Sequence, residues 1–380
     1  MTLTGTPLLI LLGLLTVAAF AALLRFWPRF AGHGARPLAG RIAALAAAQL
    51  LLLTTALAAA NNYFGFYTSW HALVSVASGS YAAGPPSPFG PGSSPAGIIV
   101  HGSSGLAISG GGDPAQGGQV EDTTIQGQLT GLSAHALIYL PPQYFQPSYR
   151  NTLFPAVIVS SGYPGDVTKL VSLLRYPARL AAGIRSGQDK PMVLVMMSPM
   201  IVPGRDTECT NVANGGPRAE DFWAQDVPSA VERTYRVSRD ASGWGLVGDS
   251  TGGYCALKIA MTDSDRFSAA ASLSGYFGAL QDSTTGDLYG GDPGFRAQND
   301  LSWRIRNLPS PPISVLLATS RTGESDYGPA LDFIARAKAP MRISTLIRAS
   351  GGHNFNTWNA EVPAALQWLG AHLVPSTSGN

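Results

Sequence analysis

No acidic residue occurs before Asp113, and the only charges ahead of it are Arg25, Arg29, Arg36 and Arg41. A stretch so poor in charge cannot build the mixed-sign surface of an ordinary globular domain. Cysteine is equally scarce, with two in 380 residues, which excludes a disulfide-dense scaffold. There is no His-Glu-x-x-His and no paired-cysteine spacing, so no metal is expected, and no cofactor either. The glycines at 110 to 112 lack a following Lys-Ser or Lys-Thr, which excludes a phosphate loop. The 23 acidic residues all lie from Asp113 onward and nearly balance the bases there, so that part has no dense cationic face for nucleic acid.

What the front of the chain does have is two long apolar runs, residues 7–27 and 42–60, the second interrupted only by Gln49, Thr54 and Thr55. About 20 such residues in a helix cross a bilayer core of roughly 30 Å, so a two-span transmembrane hairpin is expected over 1–75. Arginines beside spans stay in the cytoplasm, which places the connection between them inside and both ends outside. Phe26 and Trp27 fit one interfacial belt, and Tyr63, Phe64, Phe66, Tyr67 and Trp70 the other. A rival reading makes the run ending at Ala58-Ala59-Ala60 a cleavable signal region, with a soluble product starting near Asn61. Residues 76–118 are rich in Gly, Pro and Ser and read as a linker, with some extended residues around Ile98 to Val100. His101-Gly102-Ser103-Ser104-Gly105 is assigned to that linker as well.

From 119 to 374 the pattern changes, leaving 375–380 as a tail. A hairpin over Gln119 to Gly127 and Ala136 to Leu140 comes first. Apolar strands near 155, 193, 244, 269, 313 and 343 then alternate with helical stretches such as 167–182, 220–235, 331–337 and 360–373. Such alternation implies an α/β fold, a mostly parallel sheet covered by helices on both faces, with ligands bound at the carboxyl ends of the strands.

Gly248-Asp249-Ser250-Thr251-Gly252 is the single G-x-S-x-G, and it stands between the strand Trp244 to Val247 and the helix Tyr254 to Met261. A serine hydroxyl that must stand clear of a sheet needs a sharp turn with tiny residues on either side, so Ser250 is the candidate nucleophile. Its base should come last in the chain, and of six histidines only His353, in Gly351-Gly352-His353-Asn354-Phe355, has that place. The acid should follow the strand Ile313 to Thr319, where the loop offers Glu324 and Asp326. Glu324 is chosen, and Asp326 stays as the alternative; the other carboxylate could pair with Arg321. A second backbone donor for an oxyanion, beside Thr251, is expected at Tyr163 in Ser161-Gly162-Tyr163-Pro164-Gly165.

Four motifs, Tyr-Pro-Gly at 163–165, Gly-Asp-Ser-Thr-Gly-Gly-Tyr-Cys at 248–255, Ser-Leu-Ser-Gly-Tyr at 272–276 and Gly-Gly-His-Asn-Phe at 351–355, resemble those of the esterase D and mycolyltransferase group of α/β-hydrolases. The resemblance covers roughly 119 to 373. It implies an α/β-hydrolase fold, ester hydrolysis or acyl transfer through an acyl-serine, and the roles given to Ser250, His353, Tyr163 and Thr251. Asp249 departs from the apolar residue more usual beside the serine. Cys209 and Cys255 both fall in the part expected outside, and a bridge between them, worth roughly 4 kcal/mol, would pin the loop Arg205 to Cys209 beside the serine. Two reactive thiols in the unreduced protein would contradict that pairing. Residues 277–307 lack periodicity and are either a substrate-facing insertion or a passive loop.

The expectation is a membrane-anchored, extracytoplasmic serine esterase or acyltransferase acting on an acyl ester of lipid, glycolipid or cell envelope. A noncatalytic membrane-anchored binding protein on a hydrolase fold and a peptidase are the rival readings.

Overall fold

The computed structural model describes residues 6–30, 32, 34–64, 97–106 and 112–377. They fall into two units, Met1–Pro85 and Pro86–Asn380. The first unit contains helices α1 (Thr6–Phe26) and α2 (Ala35–Phe64), joined through a 3₁₀ turn at Trp27–Phe30. Pro7 and Pro37 both sit in a first helical turn, where a missing N–H leaves no bond unmade. Both helices are long and apolar enough to cross a membrane. A core helix of a soluble protein would be mostly covered, yet their most apolar windows are only 11% and 6% buried. The helices meet through Thr16 Oγ1 and Thr55 Oγ1, 2.8 Å apart, where one hydroxyl donates to the other, and each oxygen also lies within 3 Å of the carbonyl four residues back. Because α2 begins at Ala35, Arg36 and Arg41 belong to its first turns and not to an extended loop. Phe66, Tyr67 and Trp70 of the expected aromatic belt lie outside the described residues, as do His33 and His71.

The second unit is built on strands β1 (Gly97–Gly105), β2 (Gln119–Gln126), β3 (Ser133–Leu140), β4 (Thr152–Leu153), β5 (Ala156–Ser160), β6 (Val193–Met197), β7 (Trp244–Asp249), β8 (Ala269–Leu273), β9 (Ser314–Ser320), β10 (Arg342–Arg348) and β11 (Ser376–Thr377). Nine of them form one sheet in the order β1-β2-β3-β6-β5-β7-β8-β9-β10. Pairing is antiparallel from β1 to β6 and parallel from β6 to β10. The central strands β5, β6, β7 and β8 are buried at every position, as strands covered on both faces must be. Their alternating side chains feed two cores. Ile158, Val195 and Leu246 join Trp223, Tyr254 and Leu257 on one face, while Val157, Val159, Leu194 and Val247 join Leu366 and Leu369 on the other. This is the α/β-hydrolase architecture, and its carboxyl-end edge carries the loops that matter below.

Three expectations change. Residues 97–105, read as linker, pair along β2 from Gly97↔Gln126 to Gly105↔Gln119. An edge strand needs only backbone partners, and most of these side chains are exposed, so no burial pattern marks it. The helix expected over 167–182 is two, Val167–Ser172 and Tyr176–Ser186, because Pro177 cannot donate to an earlier carbonyl and opens a new first turn instead. The tail contributes β11, which pairs with β4. Within 277–307, Asp292 and Asp300 cap two short helices, Pro293–Asn299 and Leu301–Asn307.

Candidate active site

β7 runs straight into the turn that presents Ser250. The serine has φ 53° and ψ −122°, a conformation that a residue with a Cβ adopts rarely and that clusters at functional turns. The turn is also crowded: a Cβ on Gly252 would lie 2.3 Å from the carbonyl oxygen of Ser160, so only glycine fits there. Thr251 opens the helix Thr251–Thr262, and its N–H is among the four that a helix start leaves without an intrahelical partner.

His353 follows β10 and reaches back to the serine, with Nε2 2.8 Å from Ser250 Oγ. Its ring stands edge-on to Trp358, and the adjacent Asn354 caps the helix Phe355–His372 by accepting from Asn356 and Thr357. The position of the imidazole is therefore set by a helix start and not by a free loop. Behind it, Glu324 Oε2 lies 3.4 Å from His353 Nδ1, while Oε1 accepts a hydrogen bond from Ser274 Oγ at 2.8 Å. The Glu324 side chain is fully buried. Asp326 stands on the cavity wall, is bonded to Ser325 Oγ, and makes no hydrogen bond to the imidazole. Neither carboxylate pairs with Arg321 among the described residues. The other described histidines are elsewhere: His101 bonds Thr124, His135 pairs with Asp122, and His372 stacks on Trp368.

A cavity of about 340 Å³ opens over Ser250 and His353, and Tyr163 lines it. The loop that carries Tyr163 lies directly against Ser250, since a Cβ on Gly162 would come within 2.8 Å of Ser250 Cβ. Sequence reasoning missed that part of the lining is acidic. Asp206, Glu208, Tyr276 and Asp282 contribute to it. Both Glu208 carboxylate oxygens accept from the Tyr276 hydroxyl, at 2.6 and 2.5 Å, and that hydroxyl is 3.3 Å from Thr251 Oγ1. Burial first, and then the charge of Asp206, push the Glu208 carboxyl up to about 8. Burial likewise lifts Asp206 to about 6. Asp282 goes the other way, below its ordinary value, because Thr284 and Thr285 donate to its carboxylate.

The loop that carries Asp206 and Glu208 is fastened to the serine's helix. Cys209 and Cys255 form a disulfide with Cα atoms 5.8 Å apart. Lys258, one turn beyond and fully buried, donates to the carbonyls of Glu208 and Cys209 and to Thr210 Oγ1, and pairs with Glu220 at 3.3 Å. From the segment 277–307, Leu280, Asp282 and Thr284 line the same cavity.

Comparison with known proteins agrees with this architecture. An S-formylglutathione hydrolase from Agrobacterium tumefaciens superposes with a TM-score of 0.56 at 13% identity, covering 69% of this chain and 98% of its own. A fluorophosphonate-binding serine hydrolase of Staphylococcus aureus gives 0.53 at 18%, over 66% and 98%. A feruloyl esterase module from Clostridium thermocellum gives 0.51 at 18%, over 73% and 98%. At these identities the likeness is one of fold. By sequence, the chain is 25% identical over 272 residues to an uncharacterized protein of Corynebacterium glutamicum, a match that takes in 66% of this chain and 59% of that relative, less than two thirds of its length. A family model matches residues 128–369, well over half of the sequence, and on that match the chain belongs to the Putative esterase family.

Proposed function

We propose that the protein is a membrane-anchored serine esterase or acyltransferase, with its catalytic unit on the outer side of the membrane, working through an acyl-serine. The observation that carries this reading is the 2.8 Å contact between Ser250 Oγ and His353 Nε2 at a strained strand-to-helix turn. His353 takes the hydroxyl proton as Ser250 attacks the acyl carbon, and returns it to the departing alkoxide. Glu324 holds the ring so that Nδ1 carries its proton and Nε2 stays free to accept. The N–H groups of Tyr163 and Thr251 receive the oxyanion, each worth on the order of 3 kcal/mol of barrier. Water, or a sugar hydroxyl in the transferase case, then enters by the same path in reverse.

Arg25, Arg29, Arg36 and Arg41 cluster where the two apolar helices join, which favours an inner connection and an outer catalytic unit. With such an anchor, the substrates proposed are lipid or envelope esters. The acidic wall disfavours anionic substrates. In the full chain kept in detergent, an activated ester or fluorophosphonate probe should label the wild type on Ser250 and leave Ser250→Ala unlabelled. Equal labelling of the two proteins would end the assignment.

A further inference from the structure

Asp249 is the last residue of β7, immediately before the proposed nucleophile, and it is fully buried. A carboxyl group in that place is costly to bury, and burial lifts it to about 7. Among the described residues its Oδ1 has no hydrogen-bond partner, and an apolar side chain of similar size would be cheaper for the fold. Among the described residues it has one hydrogen-bond partner outside its own residue. Oδ2 accepts the N–H of Gly162 at 3.0 Å.

Gly162 is the residue before Tyr163, so anchoring its amide fixes the direction of the next peptide N–H to within one pair of backbone dihedrals. The remainder of the turn is held equally closely. Gly165 N–H donates to Gly162 O at 2.6 Å, and Ser198 Oγ donates to Gly165 O at 2.6 Å. Gly162 meanwhile rests against Ser250, leaving the loop no room to move toward the serine. The carboxylate thus ties the two halves of the oxyanion hole together, since one donor follows Ser250 on its own helix and the other sits on the loop that Asp249 holds.

We infer that Asp249 is a positioning residue, whose hydrogen bond to the Gly162 amide sets the Tyr163 N–H at the oxyanion. This rests on the acyl-serine reading above. The test compares the full chain in detergent with Asp249→Asn, which keeps an acceptor, and Asp249→Leu, which removes it while filling the space. The readouts are p-nitrophenyl butyrate hydrolysis, fluorophosphonate labelling and thermal unfolding. Asp249→Leu should lower kcat about 100-fold, the scale of one oxyanion donor, with KM little changed. Asp249→Asn should stay within about 10-fold of wild type, because its amide oxygen can still accept the Gly162 N–H. Wild-type kcat in Asp249→Leu, or equal losses in both variants, would overturn the inference. If the leucine protein does not fold, Asp249→Ala takes its place. If that also fails to fold while the asparagine protein turns over normally, the role is in folding and the inference again falls. A wild type that takes no label defeats the acyl-serine reading itself, whereas a labelled wild type with an unaffected leucine variant defeats only the role of Asp249.

Discussion

Two carboxylates two residues apart compete for one imidazole, and the geometry separates them. Glu324 is buried, accepts from Ser274 and is the one within reach of His353 Nδ1. Asp326 is half-buried, lifted above its ordinary value chiefly by burial, and turned to the cavity. Replacing Glu324 by Gln would put an amide where the ring needs an acceptor and favour the wrong tautomer. Turnover of an ester should then fall by about 10³- to 10⁴-fold, as it does when such an acid is made an amide. Asp326→Asn should cost less than about 10-fold, in keeping with a partly solvated charge. Steady-state kinetics on the two variants distinguish them, and equal losses would mean that the acid is shared. Ser274, with φ 51°, was not legible as the partner of Glu324, because nothing in the spacing of 274 and 324 announces a contact between loops after neighbouring strands.

Elements explain what could be read and what could not. β5 to β9 were legible because a strand buried on both faces must be an unbroken apolar run, and the topology then delivers residues after each strand to one edge. Ser250, Glu324 and His353 were placed after strands on that logic, and the fold brings the three side chains together. The acidic wall escaped it, since Asp206 and Glu208 come from one aperiodic loop and Asp282 from another. Glu208 and Cys209 both have positive φ, at 51° and 49°, in a segment held by cross-links rather than by secondary structure. The disulfide spans a sequence separation of 46, worth on the order of 4 kcal/mol by loop entropy. The double variant Cys209→Ala with Cys255→Ala should therefore unfold at a clearly lower temperature. Because Lys258 and the Glu208–Tyr276 bond still hold the loop, it should keep substantial ester turnover below that temperature. An unchanged melting temperature would show that the bridge contributes nothing.

At the scale of the whole catalytic unit, the buried carboxyls set how stability responds to pH. Asp206 is raised to about 6, Asp249 to about 7, and Glu208 and Glu361 to about 8, in each case first by burial. A carboxyl raised in the folded state holds its proton where the unfolded chain has already lost it. Between the ordinary carboxylate range and about 8 the folded state thus binds more protons, and stability falls as pH rises through that window. Asp282 and Asp332 are depressed and act oppositely, since their contribution is lost only as pH drops below the ordinary range. Thermal unfolding of the full chain in detergent should accordingly be highest near pH 5 and decline toward pH 8. Glu361 isolates the effect, because it is fully buried in the helix Phe355–His372, neither of its oxygens has a hydrogen-bond partner among the described residues, and it is not among the residues lining the cavity. Glu361→Gln removes one titration and should flatten the decline, leaving the variant more stable than wild type at pH 8 and little different at pH 5. A melting temperature that rises steadily from pH 5 to pH 8 would mean that these carboxyls are ionised in the folded state and that their burial is compensated by contacts other than those described.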